Sequence, residues 1–193
     1  DQHIPLVFFD RVCLPERFSS VVADNVQSAT SATKHLIRRG AKRIGFIGGP
    51  NHLKIVQERK HGYLNALREN NILIEPNLVV CNEMTYNEGK KAIQHLLSLG
   101  DPPDAILAMN DTLAFAAMKG IKKKGLRIPN DIALIGYTDE LHSNYVDPTL
   151  TAVTHQTYSM GKATCQLLLE HIQYKKDPKQ IVIPTNLMIR EST

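Results

Sequence analysis

Ala105-Ile-Leu-Ala-Met-Asn-Asp111 and Ile132-Ala-Leu-Ile-Gly-Tyr-Thr-Asp139 are two short apolar runs, each ending in polar residues. Between them Leu113, Ala116, Ala117 and Ile121 recur at helical spacing, which predicts a helix over 112–124. A strand, a helix and a second strand within about thirty residues form a βαβ unit. Its strands are parallel and buried on both faces. Asn110, Asp111, Thr138 and Asp139 then fall at the carboxyl ends of neighbouring strands, the edge where open α/β sheets bind ligands. Asp111 also reads as the N-cap of the helix that follows it.

The same alternation extends toward the N-terminus. Residues 43–47 read as a strand, 48–51 as a turn, 59–70 as a helix with Tyr63, Ala66 and Leu67 inward, 78–81 as a strand and 86–99 as a helix. Further back, Asp24 is placed to cap a helix whose apolar face is Ala29, Ala32, Leu36 and Ile37, with Gly40 ending it. Strands and helices alternating across short Gly/Pro-marked loops predict an α/β fold with a doubly wound parallel sheet. The two ends of the chain break the pattern. A strand over 4–9, a helix over 158–173 using Leu167, Leu168 and Ile172, a turn at 175–178, and extended runs at 181–184 and 187–189 fit a second, partial lobe. One strand and one helix bury little between them, so Leu6, Phe8, Leu167 and Leu168 are expected to be underpacked.

The composition bounds the function. Hydrophobic residues make up 42% of the 193 residues and charged residues 22%, the balance of a globular chain. The net charge is only +4, and the basic runs (Lys34, Arg38, Arg39; Lys122, Lys123, Lys124) read as solvated helix surface rather than a nucleic-acid footprint. Cys13, Cys81 and Cys165 are odd in number and far apart, which predicts reduced core cysteines in a cytosolic setting. No apolar run approaches membrane length. The chain opens Asp-Gln-His with neither a Met nor a signal segment, so it reads as part of a longer sequence.

Catalytic signatures are missing. There is no Gly-x-Ser-x-Gly, no His-Glu-x-x-His and no phosphate-binding loop, and the eight histidines show no ligand spacing. Neither a metal nor a cofactor is expected. Gly48-Gly49-Pro50 lies between a strand and a helix as a nucleotide loop would. It lacks the G-x-G-x-x-G spacing, however, and Pro50 removes a backbone donor, so a tight turn explains it better. Polar strand-end residues remain: Asp10, Asn110, Thr138 and Asp139, with Arg59. Carboxylates, a guanidinium and an amide at one edge suit hydrogen bonding to a small polar molecule such as a polyol.

Taken in order, these stretches resemble the effector-binding core of the lactose-repressor and purine-repressor family of bacterial transcription regulators. The resemblance rests on Ile4-Pro-Leu-Val-Phe-Phe-Asp-Arg11, Val21-Val-Ala-Asp-Asn25, and the run from His35 through Arg43-Ile-Gly-Phe-Ile-Gly-Gly-Pro50. It continues through Arg59 with Gly62-Tyr63, Ala108-Met-Asn-Asp111, Leu126 to Asp139, Pro148-Thr-Leu-Thr151, His155-Gln156, Met160-Gly161 and Leu187-Met-Ile-Arg190. It implies a periplasmic-binding-protein-like (type I) fold of two Rossmann-like lobes. Residues 1–24 and 157–183 would form part of an N-terminal lobe, and 26–155 with 185–193 the C-terminal lobe. The chain would cross between them near 24–25, 155–156 and 183–185. The helix-turn-helix headpiece of such regulators lies outside this sequence.

The resemblance also implies a ligand site. Asp10 matches a ligand-binding aspartate, Arg59 the arginine that clamps the effector, and Asn110 an asparagine that hydrogen-bonds it. Met84 stands where the family often has a covering aromatic, and offers no stacking face. Thr138 stands where an aspartate is common, keeping a hydroxyl without the charge, with Asp139 beside it. As a surface charge, Arg59 replaced by Ala is expected to alter basal stability little.

The implied function is a cytoplasmic, non-enzymatic effector sensor, with a sugar as the expected ligand. It would act on operator DNA through a headpiece and as a homodimer. The implied dimer contact is helix 112–124, whose Phe115 and Met118 point away from the core stripe, with residues 141–146 alongside. Two other readings share the fold: an extracytoplasmic solute-binding protein of a sugar importer, and an α/β enzyme using the same edge. An upstream signal segment separates the first from a regulator, and a nucleophile or base in the cleft would be needed for the second.

Overall fold

A computed structural model describes residues 4–14, 16–174 and 177–193. The described elements are β1 (Val7–Phe9), β2 (Ser19–Ala23), α1 (Asn25–Arg38), β3 (Ile44–Gly48), α2 (Lys54–Glu69), β4 (Val79–Cys81), α3 (Tyr86–Leu96), β5 (Ala105–Ala108), α4 (Asp111–Lys123), β6 (Ala133–Thr138), β7 (Thr151–Thr154), α5 (Thr157–Gln173), β8 (Gln180–Ile183) and β9 (Asn186–Met188). They form a six-stranded sheet, β4-β3-β5-β6-β7-β9, and a three-stranded sheet, β1-β2-β8. All pairings are parallel except β7 with β9. The decisive βαβ unit is β5-α4-β6, with Ala105 opposite Ala133 and Leu107 opposite Ile135.

Burial on both faces explains the unbroken apolar runs of β3, β5 and β6. Ile44, Phe46, Ile106, Leu107, Leu134 and Ile135 are at most 1% exposed. α1 packs closely on α2, where a Cβ on Gly62 would stand 2.3 Å from the Val26 carbonyl oxygen. Asp24 caps α1 by accepting from Gln27 N, and Gly40 ends it at φ +100°. The smaller sheet has its own buried cluster of Val21, Ala23, Met160 and Leu167.

Several expectations need correction. The helix expected over 59–70 starts at Lys54, because Ile55 and Val56 are buried and extend its inner face. Leu53 offers no capping side chain, so nothing local marked that start. The helix expected over 86–99 ends at Leu96. Asn110, not Asp111, caps α4: its side chain accepts from Leu113 N at 2.8 Å, while Asp111 is fully buried. Leu167 is 1% exposed rather than underpacked, and Ile172, expected inward, is 61% exposed. Phe8 meets the Phe18 ring edge-on at 5.6 Å, and only Leu6 of the remaining pair is largely exposed. Met118 is buried and Phe115 half-buried against the large core, so the outward face of α4 is narrower than its sequence suggests. The cysteines are free, but Cys13 and Cys165 are exposed, one in a loop and one on the solvent side of α5. Of the turn expected at 175–178, Lys175 and Lys176 lie outside the described residues. Among the described residues no helix is long and apolar enough to cross a membrane.

Candidate functional site

The carboxyl ends of β5, β6 and β7 converge on one side chain. Arg59 extends from the middle of α2 into this edge and is 2% exposed. Its Nε donates to Asn25 Oδ1 at 3.0 Å, its Nη1 to the Met109 carbonyl at 2.6 Å and its Nη2 to His155 Nε2 at 3.1 Å. The guanidinium carbon lies 4.0 Å from the centre of the Tyr137 ring, a cation–π contact. Arg59 is therefore not the surface charge its sequence context suggested. The helix carries it inward beneath the strand ends, where its bonds to Asn25 and Met109 are buried and its bond to His155 part-buried.

Burial lowers the Arg59 pKa, and the neighbouring Tyr137, Asp10, Glu58 and Asp111 act in the opposite sense. His155 is pushed down to about 4, chiefly by burial and then by the Arg59 charge, with Asp10 opposing. At neutral pH the imidazole is uncharged. A guanidinium has only donors, so Nε2 is the acceptor and the ring proton sits on Nδ1. Tyr137 is held protonated by burial, its pKa raised to about 12, and its hydroxyl lies 3.0 Å from Ser28 Oγ. Asn25 completes the cluster by donating Nδ2 to Glu58 at 2.9 Å.

The expected site residues surround this hub. Asp10 follows β1 with φ +60°, and its buried Oδ1 has no hydrogen-bond partner among the described residues. A buried carboxylate oxygen without a donor is costly, so it marks a place where a donor is wanted. Asn110 uses its oxygen to cap α4, which leaves its amide donors for other partners. Met84 is half-buried against the end of β3, where a Cβ on Gly49 would stand 2.7 Å from Met84 Cγ. Gly49 N donates to the Met109 sulfur at 2.9 Å. Close approach by these two thioethers explains the glycine, and a turn closed by Leu53 N on the Pro50 carbonyl follows.

Thr138 and Asp139 both have positive φ, +98° and +59°, in residues that carry a Cβ. Such strain concentrates at functional sites. Asp139 pairs with Arg190 Nη1 at 2.8 Å, each side chain about 15% exposed or less. The approach is off the hydrogen-bonding direction, so Asp139 Oδ1 has a charge partner without a formal hydrogen bond. Of the two, Thr138 has the freer polar group. Asp111, behind them, accepts from Glu140 N at 2.7 Å and Ser143 Oγ at 3.1 Å.

Sequence reasoning missed Asn25, His155 and Tyr137 as parts of the cluster, and Arg190 as the partner of Asp139. All lie far from their partners along the chain. Only their strand-end or crossover positions could have pointed to them. Among the described residues no group of three or more His, Cys, Asp or Glu side chains is poised to hold a metal.

A periplasmic binding protein-like domain model matches residues 33–193. The transcriptional repressor CytR of Escherichia coli K12 is 32% identical over 169 residues, 88% of this chain and 50% of that protein. The transcriptional regulator CelR of Thermobifida fusca is 34% identical over 178 residues, 92% and 52% respectively. The chain thus spans about half the length of the curated relatives it matches. Among solved structures, a complex of the transcriptional regulator CelR with cellobiose superposes with a TM-score of 0.91 at 32% identity, over 97% of this chain and 58% of that one. The transcription regulator CcpA of Lactococcus lactis gives 0.91 at 29% identity, over 98% and 69%. On these matches the chain belongs to the periplasmic-binding-protein-like domain family, and the relatives named here are transcriptional regulators.

Proposed function

We propose that this chain is the effector-sensing core of a cytoplasmic transcription regulator. It binds a small, neutral polyhydroxy ligand, a sugar, between two lobes. The lobes correspond to the two sheets: 1–24 with 157–183, and 26–155 with 185–193. The observation that carries the reading is the orphaned, buried Asp10 oxygen beside the Arg59 cluster. A ligand hydroxyl supplies the donor it lacks. The Asn110 amide and the Thr138 hydroxyl offer further polar contacts, and Met84 an apolar cover. Asp139 contributes through its pair with Arg190 rather than by direct contact. The cellobiose in the related complex supports a sugar as the ligand class.

Ligand closure favours one inter-lobe geometry and thereby sets the spacing of two DNA-binding headpieces in a homodimer. The dimer surface is the exposed apolar pair Leu141 (69%) and Tyr145 (77%) with the half-buried Phe115. The importer reading has no support among the relatives named above, which are transcription regulators. The test is calorimetric titration of the full-length protein with cellobiose, ribose, glucose and cytidine, repeated on Asp10→Asn and Thr138→Val. Binding of one neutral ligand, weakened about ten-fold or more in Asp10→Asn, is expected. Binding that both variants leave unchanged, or no binding to any member of the panel, refutes the site.

A further inference from the structure

The chain passes between the two sheets three times among the described residues: from β2 to α1, from β7 to α5 and from β8 to β9. These passages are bonded to one another. Asp24 N donates to the Ile183 carbonyl at 3.1 Å, tying the first to the third. Gln156 Nε2 donates to the Pro184 carbonyl at 3.1 Å, tying the second to the third. The first and second are joined through Arg59, which lies on neither: Asn25 belongs to the first and His155 to the second.

We propose that Arg59 is the pin of the inter-lobe hinge, that Asn25 and His155 are its positioning residues, and that the His155 bond is the one an effector exchanges. Three features carry this. The guanidinium is planar, so its orientation is set by the Asn25 and Met109 bonds on its Nε and Nη1. Both of those bonds are buried, whereas the bond to His155 is only part-buried. The His155 acceptor is a neutral nitrogen, so a ligand hydroxyl oxygen that replaces it exchanges one neutral acceptor for another at little net cost. Giving up Asn25 or Met109 instead would strand a buried polar group. A ligand that takes Nη2 therefore leaves the second passage held only by its Gln156 bond to the third, while the first stays fixed on Arg59, which loosens one side of the hinge and leaves the other as its axis. The last step rests on the effector reading above. The pin itself does not.

The experiment follows amide hydrogen exchange in the full-length protein without ligand. His155→Leu removes the acceptor and His155→Gln supplies another at similar reach. In the Leu variant, exchange at Thr157 and Met160, which open α5, is expected to accelerate about ten-fold or more. Amides of β5 and β6 are expected to keep wild-type protection, and the Gln variant to restore it at α5. Nitrogen NMR of the wild-type imidazole is expected to show a protonated Nδ1 and a bare Nε2, with Arg59→Lys abolishing the preference. Unchanged exchange in His155→Leu overturns the proposal. So does acceleration of equal size throughout the chain, which marks simple destabilisation, or failure of Gln to restore protection. If the exchange pattern holds but the titration panel shows no binding, the effector reading fails and the pin stands.

Discussion

Asp111→Asn tests the electrostatics beneath the strand ends. Asp111 is fully buried, and its pKa is raised from the ordinary 3.8 to about 6. Burial is the main cause, with the Glu140 and Asp139 charges adding to it and the bonds from Glu140 N and Ser143 opposing. A carboxyl whose pKa is higher folded than unfolded contributes its full stability below the unfolded value and loses it as pH rises through the folded one. At about 1.4 kcal/mol per pH unit, the rise from 3.8 to about 6 makes ionised Asp111 cost the native state about 3 kcal/mol at pH 7 relative to its protonated form. The cost is relieved as pH falls from about 7 toward 4. The amide carries no charge. Its carbonyl can take over both bonds now made by Oδ2. Its nitrogen then stands where Oδ1 has no partner, at a cost of about 1–2 kcal/mol. Asp111→Asn should therefore be about 1–2 kcal/mol more stable than wild type at pH 7. It should be less stable at pH 4, with the gap changing by about 2–3 kcal/mol. Urea denaturation of both proteins at pH 7, 6, 5 and 4 measures the gap, and titrating groups that do not interact with Asp111 cancel in the difference. A gap independent of pH refutes the reasoning.

Arg59→Ala removes donors from Asn25, Met109 and His155 and leaves a cavity under Tyr137. A loss on the order of 3 kcal/mol or more is expected by urea denaturation. A loss below about 1 kcal/mol, the value of an exposed charge, would contradict the burial. Phe115→Glu with Tyr145→Glu places charge on the proposed dimer face and should give monomers in sedimentation equilibrium. A variant as dimeric as wild type removes that face from the interface.

The sequence by itself determined the repeating part of the fold. Apolar runs at 105–108 and 132–137, a helical stripe between them, Asp24 as a cap and Gly40 as a stop are local signals, and each element follows. Strand polarity places Asn110 and Thr138 at one edge for the same reason. The rest depended on contacts that local periodicity does not encode. Asn110 and Asp111 are both good caps, and only the turn at Glu140 and Ser143, folding back on Asp111, decides between them. Met118 reads as outward from its helix and is buried by the tertiary packing around α4. Arg59 reads as a surface charge because its burial requires three acceptors, and these come from α1, the end of β5 and the passage after β7. A side chain's solvation is set by everything that packs on it. That is why the sequence named Arg59 as a site residue through family likeness, while only the tertiary structure placed it at the crossing of two passages between the sheets.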